Sequence, residues 1–309
     1  MKSVLSPNIS FVDQLAELLK ISKDSSYRRI NGESSISLNE LVIICKHYNI
    51  SIDDLLFSDE IRVTVKASIP ENDRMGAWLK SILQQFENLI LNEESRLSIL
   101  AKDLPVFYFF GYPKLTAFKL FLWQKSIHSH PEYEDQKFAQ NRVPSDHIVL
   151  ATKIWSHFMG LSTIEIWTSG TFLATLEQID YYRNCRYFEN ENEARLVYHD
   201  FIKLLQDLSL FARQGHKDPL QGKLEMFQNE YLAFNNTLYF ESDNLEVTYL
   251  NYNTLGYLST SSPTICKSVR EHIQRIQTKS VQISVSGEKE RNQFFNYMID
   301  TVKKRLEEF

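Results

Sequence analysis

Six residues near the start of the chain combine cations, hydroxyl donors and an aromatic ring on one short segment. They are Lys23, Ser25, Ser26, Tyr27, Arg28 and Arg29, with Ser22 just before them. A helix lying in a DNA major groove places its first turn nearest the base edges. Lys23, Ser25 and Ser26 would occupy that turn as a cation and two short donors. Arg28 and Arg29 follow, where a guanidinium clamps phosphate or reads guanine bidentately. Ser22 and the helix start can also accept a phosphate. Tyr27 completes the set. The plain alternative is a solvated surface in which Asp24 and Arg28 form an i,i+4 pair.

Charge favours that plain alternative. The 309 residues carry a net charge of -5, and residues 1–60 hold six basic and nine acidic residues, a balance of -3. Neither part of the chain is basic, which counts against nucleic-acid binding. The charge is local, however. From Lys20 to Gly32 four basic residues face one acid.

Other chemistry is thinly represented. His128 and His130 sit in a polar loop with no third ligand at a metal-site spacing. His199-Asp200 lies on an apolar-striped helix and reads as structural. "SGEKER" (286–291) lacks the phosphate-cradling pattern G-x-x-x-x-G-K-[ST] and reads as a helix start, with Ser286 and Glu288 favouring the helix dipole. Asp243 and Glu246 are turn and strand residues. G-x-S-x-G and H-E-x-x-H are absent from the sequence. Phe107, Tyr108, Phe109, Phe110, Phe118, Phe121 and Trp123 read as core. No enzyme, cofactor or metal is expected.

Composition is that of a folded protein of about two domains, 43% hydrophobic and 24% charged. Cys45, Cys185 and Cys266 are too scattered for a zinc ribbon and read as reduced cytoplasmic thiols. The start "MKSVLSPNIS" has no apolar signal region. The most apolar stretch, Leu104 to Trp123, is interrupted by Gly111, Pro113, Lys114 and Lys119, so no membrane partner is expected. It reads as a buried strand end followed by a core helix.

The elements that would position the six residues are short helices. "FVDQLAELL" spaces Phe11, Leu15, Leu18 and Leu19 for a helix. Ser22 N-caps a second helix, Lys23 to Ile30, which Asn31-Gly32 ends. Ser37 and Glu40 form a capping box for a third, with Leu38, Leu41, Val42 and Cys45 as its apolar stripe. Ser51 and Asp54 start a final turn burying Ile52, Leu55 and Leu56. This pattern resembles the DNA-binding domain of lambda-repressor-like (Xre-type) bacterial regulators. Ala16 stands where that family has a small residue between its crossing helices. Ile21-Ser22 matches the turn and N-cap, and Gly32 the glycine after the recognition helix. "SLNELVIICKHYNISIDDLL" resembles the closing helices. Lys20 departs from the family's usual turn glycine. Ser26 replaces a bulky aliphatic, so Tyr27 and Ile30 are expected to supply the packing. The helix before Phe11 is nearly missing. Met1–Leu5 reads as its last turn, with the native chain starting further upstream. "DSSYRRINGE" with "CKHYNIS" resembles a group of two-domain regulators whose second domain has no assigned activity.

The expected fold is therefore mostly α, with a helix-turn-helix bundle (1–58), a connecting strand and helix (59–95) and a helix-rich α+β sensor or dimerisation domain (96–309). Within the connector, "RVTVKAS" (62–68) reads as a strand, and Met75, Trp78, Leu79, Ile82 and Phe86 space a helix. Residues 128–146 read as a surface loop. Helices follow around 168–188 and 191–215. Strands flank Ser242-Asp243-Asn244, "NTLGYLST" adds a third, and a helix (265–276), a strand ("SVQISVS") and a last helix (291–307) close the chain. The resemblance implies a cytoplasmic, dimeric transcriptional regulator that binds double-stranded DNA and answers to a small-molecule or peptide effector. Two alternatives stand beside it. One is a peptide-sensing regulator with an all-helical repeat body. The other is a protein-interaction adaptor that no longer binds DNA.

Overall fold

A computed structural model describes residues 10–48, 50, 52, 63–68, 75–88, 95–217, 222–230 and 235–308. The chain divides into two units, a head, Met1–Thr64, and a body, Val65–Phe309. Leu55, Leu56 and the segment before Ser10 lie outside the described residues.

Three helices build the described head: α1 (Phe11–Leu19), α2 (Lys23–Ile30) and α3 (Leu38–Tyr48). Leu15 and Ala16 of α1 and Ile44 and Cys45 of α3 are buried. Tyr48 donates from its hydroxyl to Gln14 Oε1 at 3.4 Å, closing α3 on α1. Both α1 and α2 end in the same way. Ile21 N donates to Ala16 O and Lys20 N to Glu17 O. Glu33 N donates to Arg28 O and Gly32 N to Arg29 O. Each pair of bonds is a Schellman motif, which needs a left-handed residue at its corner. Gly32 fills one corner at φ 76°, and Lys20 fills the other at φ 53°.

The packing of α2 differs from the sequence expectation. Tyr27 and Ile30 are 54% and 39% exposed and do not replace the missing aliphatic. Ser26 itself is buried, and its hydroxyl donates to Val12 O at 2.9 Å. A hydroxyl that small lets the helices approach and still satisfies its own polar group. Leu38, expected in the stripe of α3, is exposed, and Ile44 is buried in addition to Cys45.

An eight-stranded sheet organises the body, in the order β1-β7-β6-β5-β2-β3-β4-β8. Its strands are β1 (Lys66–Ser68), β2 (Arg96–Ala101), β3 (Ser162–Trp167), β4 (Leu224–Gln228), β5 (Thr237–Ser242), β6 (Leu245–Asn251), β7 (Tyr257–Thr260) and β8 (Val281–Gln282). β2, β3 and β4 are parallel neighbours, and the remaining pairings are antiparallel. The fold is thus not simply mostly α, because a mixed sheet with a parallel centre spans the body. Parallel strands need long crossovers, and helices supply them. α4 (Met75–Asn88) precedes β2. α5 (Val106–Phe109), α6 (Pro113–Leu122) and α7 (Ser145–Gly160) lead to β3, and α8 (Leu173–Asn184) and α9 (Glu191–Gln214) lead to β4.

One sheet face carries the large core, in which Leu97, Ile99, Trp167, Met226 and Phe240 meet α4 to α9 and the last helix, α11 (Glu288–Glu307). The other face packs Leu100, Ile164, Ile166 and Phe227 against Cys266, Ile273 and Ile276 of α10 (Pro263–Gln277). The seven aromatics read as core, and Tyr112 among them in the chain, are all buried. The strand and helix expected as a connector belong to the body. β1 pairs with β7, and α4 buries Met75, Trp78, Leu79, Leu83 and Phe86. An all-helical repeat body is not what the described residues form. Inside the segment read as surface loop, Phe138 is fully buried. Asp200 is structural, since it accepts the Lys114 and Leu115 amides at 2.7 and 3.2 Å and so caps α6.

A buried carboxylate sits in β3, the middle one of the three parallel strands. Glu165 accepts from Tyr108 Oη at 2.7 Å, Thr163 Oγ1 at 2.9 Å and Trp167 Nε1 at 3.0 Å. Burial raises its carboxyl above the usual range, while the charge of Lys217 opposes that shift.

Two stability predictions follow from these details. Replacing Glu165 by Leu leaves three buried donors without their acceptor and removes the charge that attracts the buried Lys217, which should cost about 3–5 kcal/mol, read as a lower urea midpoint for the body. A non-glycine in the left-handed region costs roughly 1–2 kcal/mol. Lys20→Gly should therefore slow amide exchange in α1 and α2 by about fivefold or more; unchanged exchange would show that Lys20 is unstrained.

Candidate nucleic-acid interface

α2 is a polar helix held by its ends. Ser22, extended at φ −67° and ψ 155°, accepts the Ser25 amide on its hydroxyl. The same hydroxyl donates to Ser25 Oγ at 2.9 Å. At the far end the brace is Arg29. Its guanidinium lies 2.9 Å from Glu40 and also donates to Ser25 O at 3.2 Å. Glu40 in turn accepts the Ser37 amide at 2.8 Å and the Ser37 hydroxyl at 3.0 Å, while its own amide donates to Ser37 Oγ at 3.3 Å. The expected capping box is therefore formed, and Arg29 ties α2 into it. The Ser37 amide and the Arg29 guanidinium hold the Glu40 carboxyl below its usual range.

The seven residues singled out from the sequence separate into two groups. Ser22, Lys23, Tyr27 and Arg28 are exposed and Ser25 is half-buried beside them. Ser26 and Arg29 do not share that exposed face. Ser26 faces the bundle for the helical reason that it lies on the side turned toward α1, where it bonds Val12. Arg29 is half-buried because Glu40 and Ser25 O engage its donors. Neither side chain is presented to a groove as it stands.

The exposed row is weakly tethered. Lys23 Nζ lies 2.9 Å from Asp13, with 76% of the Lys23 side chain exposed, and Arg28 lies 3.9 Å from Glu33. Exposed pairs of this kind contribute about 0–1 kcal/mol and yield readily to a better partner. Arg28 turns to Glu33 rather than to the Asp24 of the plain alternative. Asp24 is the acid on this face, and it disfavours a phosphate at the helix start.

Lys20 was not singled out among the candidate binding residues. It is exposed, two residues before the N-cap, at the left-handed corner of the turn. The signal was present in the sequence as a lysine standing where the resembling family has glycine.

Among the described residues no group of three metal-ligating side chains gathers, and no helix is long and apolar enough to cross a membrane. No curated protein matches the chain. The family model of the Cro/C1-type HTH DNA-binding domain matches residues 8–57, the span that holds α1, α2 and α3, so the head is a lambda-repressor-like helix-turn-helix.

Proposed function

We propose that the chain is a sequence-specific DNA-binding regulator of transcription. Its head lays α2 in the major groove, and its body pairs two chains and receives a signal. The observation that carries this reading is the row Ser22, Lys23, Tyr27 and Arg28 on the open side of a helix fixed by Ser22, Gly32 and the Arg29–Glu40 brace. Lys23 meets a phosphate or base edge at the helix start. Arg28 reads guanine or clamps the backbone, and the Tyr27 ring offers apolar surface to a thymine methyl. Lys20 adds a cation for a neighbouring phosphate.

A head whose first 60 residues balance to -3 neutralises few phosphates alone. Two heads on a paired body would read half-sites about 34–36 Å apart, so the operator is an inverted repeat. The second reading, an adaptor without DNA binding, rests on the same negative balance. Salt separates the two, because phosphate contacts impose a steep dependence of affinity on salt.

The test is fluorescence anisotropy of the full chain on duplexes enriched from a random pool, repeated over a salt series. Arg28→Ala should relax discrimination at one base pair by about 1–3 kcal/mol if it reads guanine. If it holds phosphate, it should weaken every duplex alike and lower the salt slope by about one. Lys20→Gly should lower the slope by about one while stabilising the head. Ser26→Ala serves as the internal control, since it should destabilise the head by about 1 kcal/mol and leave the affinity of the folded protein unchanged. Failure to enrich any duplex would replace this reading with the adaptor.

The operator itself is a further expectation. Enriched sites should contain two copies of one half-site in opposite orientation. A single half-site that binds as tightly as the pair would remove the dimer from the proposal.

A further inference from the structure

A buried cation without a neighbouring carboxylate forms part of a cavity wall in the body. Lys119 of α6 is 4% exposed. Its ammonium donates to Thr175 Oγ1 at 2.9 Å and to Gln178 Oε1 at 2.7 Å, both on α8. The Phe109 ring lies below it, 4.4 Å from Nζ to the ring centre. Among the described residues no carboxylate comes within 4.0 Å of Nζ. Asp103 attracts it from further away, and Asp103 itself accepts from Asn236 Nδ2 at 3.2 Å. An ammonium has three protons to donate, and the two polar bonds occupy two of them.

A buried charge is ordinarily paired or else neutralised. Lys119 is neither paired nor replaced by an apolar residue that would fill the space. The space is a cavity of about 120 Å³. An engineered cavity of about 150 Å³ holds benzene, so this one suits a ligand of roughly six non-hydrogen atoms. Its apolar wall includes Trp78, Trp123 and Phe107. Trp78 spends its N–H on Leu255 O at 3.1 Å and so offers the cavity a ring rather than a donor. Asp103 and Leu104, just past the carboxyl end of β2, line the cavity. Crevices outside the carboxyl ends of parallel strands are where open α/β sheets bind ligands.

We propose that this cavity binds a small organic monocarboxylate, with its carboxylate on Lys119 Nζ and its hydrocarbon part against Trp78, Trp123 and Phe107. Thr175 and Gln178 hold the ammonium in place for it. Asp103, half-buried in the same wall, repels a second negative charge and selects monocarboxylates over dicarboxylates. Binding also takes up a proton. Burial pushes the Lys119 ammonium down to about 7, and a carboxylate beside it would raise it again. The titratable groups that share the cavity are Asp103 and Tyr257, and burial raises the Tyr257 hydroxyl further. Affinity should therefore fall as pH rises above about 7, by up to tenfold per unit. Coupling of this site to DNA rests on the regulatory reading above, but binding itself does not.

The experiment is titration calorimetry of the full chain, without DNA. The probes are propionate, butyrate and isovalerate, each against its amide, with succinate as the dicarboxylate. At least one monocarboxylate should bind saturably with Kd of about 1 mM or tighter. Its amide and succinate should bind at least about tenfold more weakly, and affinity should drop between about pH 7 and 8. Lys119→Met should abolish binding with the melting temperature unchanged or raised. No saturable binding of any probe acid would overturn the proposal. So would equal binding of an acid and its amide, or wild-type binding by Lys119→Met. Where that variant does not fold, the acid–amide comparison and the pH profile on the native chain decide. Because DNA is absent, a failure here leaves the reading of the head untouched, and a head that fails on DNA leaves this site standing.

Discussion

α2 buries a single side chain, Ser26, and that poverty of apolar surface is the constraint on which the head depends. A helix of eight residues is far too short to persist by its own propensity. With no apolar stripe, it must be held by its ends. Ser22 satisfies an amide at one end, and the Schellman bonds through Gly32 satisfy carbonyls at the other. Arg29 then joins it to Glu40, which is already committed to the cap of α3. One carboxylate thereby orients two helices. The consequence is a helix whose Lys23, Tyr27 and Arg28 stay exposed and at most weakly paired, which is what recognition of an outside surface requires.

The body solves a different problem. β2 and β3 are covered on both faces, so their residues alternate between two apolar cores rather than between core and water. A strand covered twice leaves no place for a polar residue unless its bonds are complete. Glu165 meets that condition with three donors. The helical crossovers demanded by parallel pairing supply the layer that contains Lys119 and its cavity.

Two lysines stand where stability alone would favour another residue. Lys20 holds a left-handed corner that glycine would occupy with less strain. Lys119 places an amine against an aromatic wall. Proteins retain such departures from local consistency mainly where function draws on them. In the proposed reading each cation has an anionic counterpart outside the chain, a phosphate for the first and a carboxylate for the second.

The sequence by itself determined the head and the antiparallel part of the body. Ser22, Asn31-Gly32 and the Ser37–Glu40 box are local chemistry, settled within a few residues, so α2 and α3 were legible from their caps. The strands around Asp243-Asn244 alternate along one chain and were legible for the same reason. β3, β4 and α7 were not. β3 reads "STIEIW", and its apolar residues serve two cores, so periodicity could not separate it from a stretch of helix. Only the tertiary structure could decide which way each side chain of α2 faces. Ser26 and Arg29 have the same residue types as their exposed neighbours Ser22 and Arg28. What distinguishes them is the position of Val12 and Glu40, which lie 14 and 11 residues away in the chain and come close only when the helices pack.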